Sequence, residues 1–206
     1  MALVKYNNNS ISAITTAGQL ASGSMVLIKE QTASSSASIS FVHGSSGVVL
    51  DSTYPIYVFK YIDCHPATDN VEFQFNMTTD GTNFNVTKTS SYFNSYQAEN
   101  NSAQAVGYNT TPDLAQSTGD QILAEDVGND NDQCVVGTMF LFNPSSTTFV
   151  KHFLSNSSQS HQNDFTQNVF CYGYGNTTSA ITGVRILFSS GNIDAGTIKL
   201  YGIKDS

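Results

Sequence analysis

The sequence has little charge and no tryptophan. Only eight of its 206 residues are Lys or Arg, and charged residues make up 12 % of the chain, compared with roughly 25 % in an average globular domain. Long surface helices need charged side chains on their outer faces, so this scarcity argues against a helical protein. Ser, Thr, Asn and Gly fill the gap, while hydrophobic residues still reach 39 %. The composition predicts a folded all-β protein whose exposed faces carry hydroxyls and amides.

The few basic residues do not cluster, and the formal net charge is −8. Proteins that bind nucleic acid through its phosphates need grouped Lys and Arg, so no nucleic-acid partner is predicted. No apolar run approaches the roughly 20 residues that cross a bilayer, and no signal-peptide core follows Met1. We therefore expect synthesis in a cytoplasm and no membrane insertion.

Motifs for catalysis and cofactor binding are also missing. The cysteines Cys64, Cys134 and Cys171 are widely spaced, which predicts buried thiols and no disulfide framework. Cys64 and His65 are adjacent, so in a strand they would point to opposite faces, which is poor geometry for a catalytic pair. No phosphate-binding, dinucleotide-binding or hydrolase motif is present, so the sequence predicts no enzyme, no cofactor and no metal. Residues 125–133 are rich in Asp and Asn but do not match EF-hand spacing; a solvated acidic loop is expected there, with a bound Ca²⁺ as the alternative.

Short apolar segments with turn residues between them run along most of the chain. Residues 35–42 and 71–77 alternate with period two, as half-buried strands do, and residues 54–62 are apolar on both faces, as a central strand is. Asp80-Gly81 predicts a hairpin turn, and Pro144 predicts a type I turn. Strands are predicted at residues 25–30, 35–42, 54–62, 71–77, 134–142, 147–154, 168–174, 181–188 and 196–203. No helical stretch separates them, so we predict an all-β, jelly-roll-like antiparallel β-sandwich.

Two segments fall outside this pattern. Residues 1–24 are small and polar and show no period, which predicts an extended N-terminal assembly arm ahead of a sandwich domain at residues 25–206. Residues 88–133 combine patchy hydrophobicity with many amides. They predict a long irregular excursion over the surface, with short strands around 92–96 and 122–123. Partner contacts are assigned to Lys5, Tyr6, Asn8 and Ile11 in the arm and to Tyr92 and Tyr96 in the domain.

The last predicted strand alternates cleanly. Ile198 and Leu200 point one way, and Lys199 and Tyr201 point the other, so we expect the first pair to be buried in the sandwich. Gly202 interrupts the alternation and predicts a bulge or twist. We expect this end of the chain to be built into the domain and the N-terminal end to act as the connector.

Tyrosines are the candidate contacts for a carbohydrate, because a tyrosine offers a flat apolar face and a polar tip. The candidates are Tyr92, Tyr96, Tyr108, Tyr172 and Tyr174. The absence of tryptophan argues against a sugar platform, and Phe170 shares a strand face with Tyr172 and Tyr174, which favours a core or an interface. Cleavage of a glycan would require two facing carboxylates, and no acidic residue lies in a recognisable catalytic setting.

The chain carries a resemblance to one known family. The resemblance rests on the segments MALVKYNNNSIS, DSTYPIYVFKYIDCHPATDNVEFQF, LFNPSSTTFVKHF and SSGNIDAGTIKLYGIKDS. These segments resemble virion structural proteins, head- or tail-associated, of tailed phages of marine bacteria. The resemblance covers almost the whole chain, is weakest in residues 88–133, and supplies no catalytic residues to carry over.

Together, the residues and the resemblance lead us to expect a non-enzymatic phage virion structural protein, made in the host cytoplasm. It would assemble on the capsid or tail as a decoration, cement or fibre-associated subunit, and its partners would be other virion proteins and copies of itself. The alternative is a receptor- or glycan-binding module of a tail or head fibre, with a host-surface glycan as partner. A third hypothesis is an embedded glycan-degrading enzyme.

Overall fold

A computed structural model describes residues 24–204 of the chain. Within this range the chain forms twelve strands and no helix. The strands are β1 (Met25–Thr32), β2 (Ile39–Val42), β3 (Ile56–Pro66), β4 (Val71–Thr78), β5 (Lys88–Ala98), β6 (Gln104–Tyr108), β7 (Gln121–Val127), β8 (Val135–Phe142), β9 (Lys151–His161), β10 (Phe165–Gly175), β11 (Gly183–Phe188) and β12 (Ile193–Ile203). The predicted all-β class is confirmed. The predicted arm, apart from Ser24, lies outside the described residues.

The described strands form one antiparallel sheet of twelve strands, which folds into two layers that pack face to face; we call these layers sheet A and sheet B. Sheet A has the order β1-β12-β3-β8-β9-β10-β5-β6, and sheet B has the order β2-β11-β4-β7. The blocks β1-β12-β3-β8 and β2-β11-β4-β7 have the strand order of a jelly roll, while β9, β10, β5 and β6 extend sheet A beyond it. One pairing, between Val127 and His161, joins the edge of sheet B to β9.

The core lies between the inner faces of the two sheets. Phe41 on β2 packs edge-on against Phe59 on β3, with ring centroids 5.5 Å apart, and Phe75 on β4 meets Phe153 on β9 at 4.9 Å. All four rings are fully buried. Strand β4 alternates as predicted, with Val71, Phe73, Phe75 and Met77 buried on its inner face. Period-two patterning therefore fixes which face of each strand enters the sandwich.

The final strand behaves as its alternation predicts. β12 pairs with β1 on one side and with β3 on the other. Ile198 and Leu200 are fully buried, whereas Lys199 and Tyr201 face away from the core and remain half-exposed. The burial prediction for this strand is confirmed.

The predicted bulge at Gly202 is wrong. Gly202 pairs in register with Val26 and Tyr57. The pairing of β12 with β1 shifts next to it, between Leu27 and Lys29 on β1, and the pairing with β3 shifts between Ile193 and Thr197. A Cβ at residue 202 would lie 2.3 Å from the ring of Tyr54. The glycine is there because an aromatic ring packs directly on the strand backbone.

Residues 88–133 are more ordered than their composition predicts. Three strands, β5, β6 and β7, occupy half of this segment, and the other half is irregular. The short strands predicted around 92–96 and 122–123 lie within β5 and β7, which are longer than predicted. The inner faces of β5 and its neighbours carry polar groups, such as Lys88 on β5 and Ser155 and Ser157 on β9, and all three are buried. The hydrophobic alternation that identifies other strands is therefore missing here.

The two predicted turns have different outcomes. Strands β4 and β5 belong to different sheets, so Asp80-Gly81 is part of a crossover between sheets and the hairpin prediction is wrong. The Asp80 carboxylate closes this loop by accepting a hydrogen bond from the Asn83 backbone N–H at 2.7 Å. Pro144 does lie in a tight turn, because the Ser146 N–H donates to the Asn143 carbonyl at 3.1 Å, and this turn joins β8 to β9 as a hairpin.

Most predicted strands have different bounds in the structure, and two of them illustrate the reasons. The segment predicted at 35–42 forms a strand only from Ile39 onward. Before this strand, Ser36 makes an isolated β-bridge to Ile193. The segment predicted at 147–154 begins at Lys151 and continues to His161. The polar second half of this strand gives no hydrophobic signal.

Candidate functional site

The outer face of sheet A carries a continuous row of apolar side chains. Six residues stand opposite one another across six neighbouring strands: Leu27, Tyr201, Val58, Phe140, Leu154 and Tyr172. Leu27 is 50 % exposed and Leu154 is 40 % exposed. We call this row the outer apolar row. Val58 is fully buried, and the other five side chains of the row are at least partly exposed. A partly exposed apolar row that crosses six of the eight strands of sheet A is typical of a protein-protein interface.

Aromatic rings widen the row over the extension of sheet A. Phe93 on β5 pairs with Phe170 on β10, and their rings stack with centroids 5.1 Å apart. Tyr172 lies 6.2 Å from Phe93 and 6.4 Å from Phe170. The predicted shared face of Phe170 and Tyr172 is the outer face of the sheet, so these rings belong to a surface and not to the core.

Charged groups beside the row are already partnered. The Lys60 ammonium lies over the Tyr201 ring, 5.9 Å from its centroid, and Lys199 forms a 2.9 Å ion pair with Glu30. Because these charges are already paired within the chain, another protein can bury the surface without leaving them unpaired. This arrangement suits burial against another protein.

The predicted partner contacts have different outcomes. Lys5, Tyr6, Asn8 and Ile11 lie outside the described residues, so their assignment stays a prediction. Tyr92 is fully buried on the inner face of sheet A, so its assignment as a partner contact is wrong. The physical reason is strand parity, since the inner side of β5 bears Tyr92 and the outer side bears Phe93. Tyr96 is half-exposed and lines a polar cleft.

This polar cleft has a volume of about 370 Å³ and opens where β5, β7 and the β9–β10 hairpin meet. Three rings form one wall. Tyr96 stacks on Phe165 with centroids 5.5 Å apart, and Phe165 lies 5.1 Å from the ring of His161. The remaining lining is polar and consists of Asn94, Asn109, Glu125, Asp126, Gln162, Asn163 and Gln167.

Glu125 is the buried acid of the cleft. Its Oε2 accepts a 2.8 Å hydrogen bond from the Asn109 side-chain amide. Burial, with the neighbouring charge of Asp126, raises the pKa of Glu125 to about 7. The hydroxyl of Tyr92 is buried close to this carboxyl. Near neutral pH the Glu125 carboxyl can therefore either donate or accept a hydrogen bond.

The chemistry of the cleft favours binding over catalysis. Planar rings beside amide and carboxyl groups match the alternating apolar faces and hydroxyls of a sugar. A glycoside hydrolase needs a second carboxylate facing the acid, but Asp126 is adjacent in sequence to Glu125 and its carboxylate lies 3.4 Å from His161. Sequence reasoning identified Tyr96 here but missed the other two rings, because only the sheet register places them beside it.

A second cavity, of about 620 Å³, contains a histidine and a cysteine but no activated nucleophile. His65 Nδ1 lies 2.7 Å from the Asp194 carboxylate, and Nε2 lies 3.1 Å from the Asp130 carbonyl. Both partners are acceptors, so the ring is held with both nitrogens protonated. Burial, with the nearby charge of Asp63, raises the pKa of the Cys134 thiol. Among the described residues, no hydrogen bond joins a histidine to a Ser, Thr or Cys side chain.

The three cysteines are free thiols. Cys64 and Cys171 are buried, as predicted, whereas Cys134 is half-exposed. No group of three or more His, Cys, Asp or Glu residues within 24–204 is arranged to hold a metal ion. Residues 125–127 belong to β7, so the predicted acidic loop at 125–133 is shorter than its composition indicates.

The described part of the chain contains no helix long and apolar enough to cross a membrane. The chain matches no protein-family model, no curated protein and no solved structure. The outer apolar row and the polar cleft are therefore the features that bear on function.

Proposed function

We propose that this protein is a non-enzymatic structural subunit of a tailed-phage virion. It attaches to the capsid or tail as a decoration, cement or fibre-associated subunit, after synthesis in the host cytoplasm. Its partners are other virion proteins and copies of itself. The observation that carries the proposal is the outer apolar row, and the resemblance of four sequence segments to phage virion proteins supports it.

The outer apolar row is suited to this role because it is wide and because the charged groups beside it are already paired. It spans six of the eight strands of sheet A, namely β1, β12, β3, β8, β9 and β10, in one register. Covering exposed apolar area stabilises a complex by roughly 25 cal/mol per Å² before ordering costs.

The test is incorporation into particles. Leu154→Asp places a charge in the middle of the row, and Gln74→Asp places the same charge on the outer side of sheet B as a matched control. Both variants should keep the wild-type unfolding midpoint, because both positions are solvent-accessible. We expect only Leu154→Asp to be lost from purified virions. Equal incorporation of both variants would contradict an interface on sheet A.

A second candidate function, a receptor- or glycan-binding module, is favoured by the polar cleft. A glycan array with wild-type protein, Glu125→Gln and Tyr96→Ala tests it directly. Saccharide binding that is lost in both variants but kept in His152→Ala, a residue of the outer face, would support this function. If wild-type protein binds no glycan, this candidate fails and the structural role is unaffected.

A further inference from the structure

A buried lysine and a buried asparagine meet a half-buried aspartate, Asp120, which also pairs with Arg185 at 3.1 Å; the three lie away from both the outer apolar row and the polar cleft. The Nζ of Lys88 lies 2.6 Å from the Oδ1 of Asn76, and the Nδ2 of Asn76 donates to Asp120 Oδ1 at 2.8 Å. Lys88 is fully buried, and Asn76 is 1 % exposed. We call these three residues the Lys-Asn-Asp cluster.

The surroundings hold the Asn76 amide in one orientation. The Met77 backbone N–H donates to Oδ1 at 2.9 Å, and Nδ2 also donates to the Thr118 carbonyl at 3.1 Å. The oxygen of the amide therefore faces hydrogen-bond donors, and its nitrogen faces acceptors. This arrangement polarises the carbonyl and would stabilise negative charge on Oδ1 in the way an oxyanion hole does.

Lys88 is suited to act as a nucleophile. Burial, together with the charge of Arg185, lowers the pKa of Lys88 to about 8 in spite of the opposing effect of Asp120. In a minority of the molecules Lys88 is therefore the neutral amine near neutral pH, and an amine is nucleophilic only in that form. The aliphatic part of the Lys88 side chain is held on β5, so little conformational entropy is lost when the amine approaches the Asn76 amide.

We propose that Lys88 and Asn76 react to form an intramolecular isopeptide bond, with Asp120 as the proton carrier. The Lys88 amine attacks Cγ of Asn76, and the carbonyl electron pair moves to Oδ1, beside the Met77 N–H. Once Nζ and Nδ2 share Cγ in the tetrahedral intermediate, Asp120, which already accepts from Nδ2 at 2.8 Å, takes a proton from Nζ and delivers it to Nδ2. The Cγ–Nδ2 bond then breaks and ammonia leaves. Overall, a lysine ammonium and an asparagine amide become a secondary amide and an ammonium ion, so the reaction needs no oxidant or co-reactant.

The bond would join the two sheets covalently. Asn76 lies on β4 in sheet B, and Lys88 is the first residue of β5 in sheet A. A cross-link at this point fastens the crossover between the sheets and restricts the unfolded chain as a disulfide would, but it cannot be reduced. The inference is independent of the proposed function, since it concerns only the chemistry of these three side chains.

Mass spectrometry of the full chain tests the proposal. We expect the intact protein to be lighter than its sequence by the mass of one ammonia, and trypsin to fail to cut after Lys88. A protease that cuts before Asp80 should leave the two resulting peptides joined. A full sequence mass together with normal tryptic cleavage after Lys88 would overturn the proposal.

Variants identify the roles of the three side chains. Lys88→Met and Asp120→Asn should each show the full mass of their own sequence. Lys151→Met is the matched control, because Lys151 is also fully buried but its Nζ bonds only the carbonyls of Phe149 and Thr177; it should keep the deficit. A deficit that persists in Lys88→Met would contradict the assigned bond, and one that persists in Asp120→Asn would contradict the assigned proton carrier.

Discussion

At the scale of single residues, polar groups are buried inside this protein where they have hydrogen-bond partners. Tyr61 is fully buried, and its hydroxyl lies 2.8 Å from both Ser155 Oγ and Ser157 Oγ on β9. Burial raises the pKa of this phenol well above its usual value, so it stays neutral. Satisfied hydroxyls of this kind allow a strand with a polar sequence to contribute to the core.

Leu200→Ala should destabilise the protein by about 2–5 kcal/mol, because a fully buried leucine leaves a cavity when it is truncated. Lys199→Ala is the control on the same strand. Its ion pair with Glu30 lies at the surface, where such pairs contribute little to stability. Urea unfolding midpoints of the two variants measure the difference. An unchanged midpoint for Leu200→Ala would mean that β12 is peripheral.

His65 should make stability depend on pH. Burial opposes the charge on His65, but the hydrogen bonds to Asp194 and the Asp130 carbonyl outweigh it, and its pKa rises above the ordinary value of 6.5. Because the folded state binds this proton more tightly, the stabilisation is fully present below pH 6.5 and is lost as the pH rises through the raised pKa. The unfolding midpoint of wild type should therefore exceed that of Asp194→Asn by a larger amount at acidic pH than at alkaline pH. A difference that grows with pH would contradict this assignment.

At the scale of elements, strand parity and close backbone packing decide what each strand presents. β5 shows Tyr92 to the core and Phe93 to the surface, although neighbouring residues in the sequence look equally suited to either face. In β3, Asp63 has a positive φ of 50°, and the pairing with β8 shifts between Tyr61 and Cys64. Opposite it, a Cβ at Gly196 would lie 2.6 Å from the Cα of Cys64. The bulge and the glycine are therefore a matched pair.

Gly202→Ala tests whether close packing, and not a bulge, explains this glycine. The added methyl group would collide with the Tyr54 ring, so we expect a loss of about 1–3 kcal/mol, the range for an overpacked site. Gly107→Ala on β6 is the control, because a Cβ there has nothing within 4 Å, and it should have little effect. Thermal midpoints compare the two. A neutral Gly202→Ala would show that Tyr54 moves aside without cost.

At the scale of the whole molecule, a jelly roll is extended on one side only. Sheet B ends at β7, whereas sheet A continues through β9, β10, β5 and β6. The extension lengthens the outer apolar row by Leu154 on β9 and Tyr172 on β10, whereas the other four residues of the row lie on the jelly-roll strands β1, β12, β3 and β8. Together with β7, the extension also forms the polar cleft.

Deleting residues 1–24 should leave a folded, soluble domain that no longer enters particles. The expectation rests on the small polar composition of this segment ahead of the paired strand β1. Circular dichroism and the unfolding midpoint check the fold, and purification of virions from cells that supply the truncated protein checks assembly. Normal incorporation would remove the assembly role from the arm.

The sequence by itself determined the all-β class, most strand positions and the burial of β12, because period-two alternation of apolar residues requires one face of each strand to be covered. It did not reveal β6, the full lengths of β5 and β7, or the second half of β9. Buried serines and Lys88 occupy inner positions there, and such residues give no hydrophobic signal. Only the tertiary structure decided that Tyr96, Phe165 and His161 share a cleft, and that Asn76, Lys88 and Asp120 meet. Those groups come from strands and loops distant in sequence, and it is the cross-strand register that brings them together.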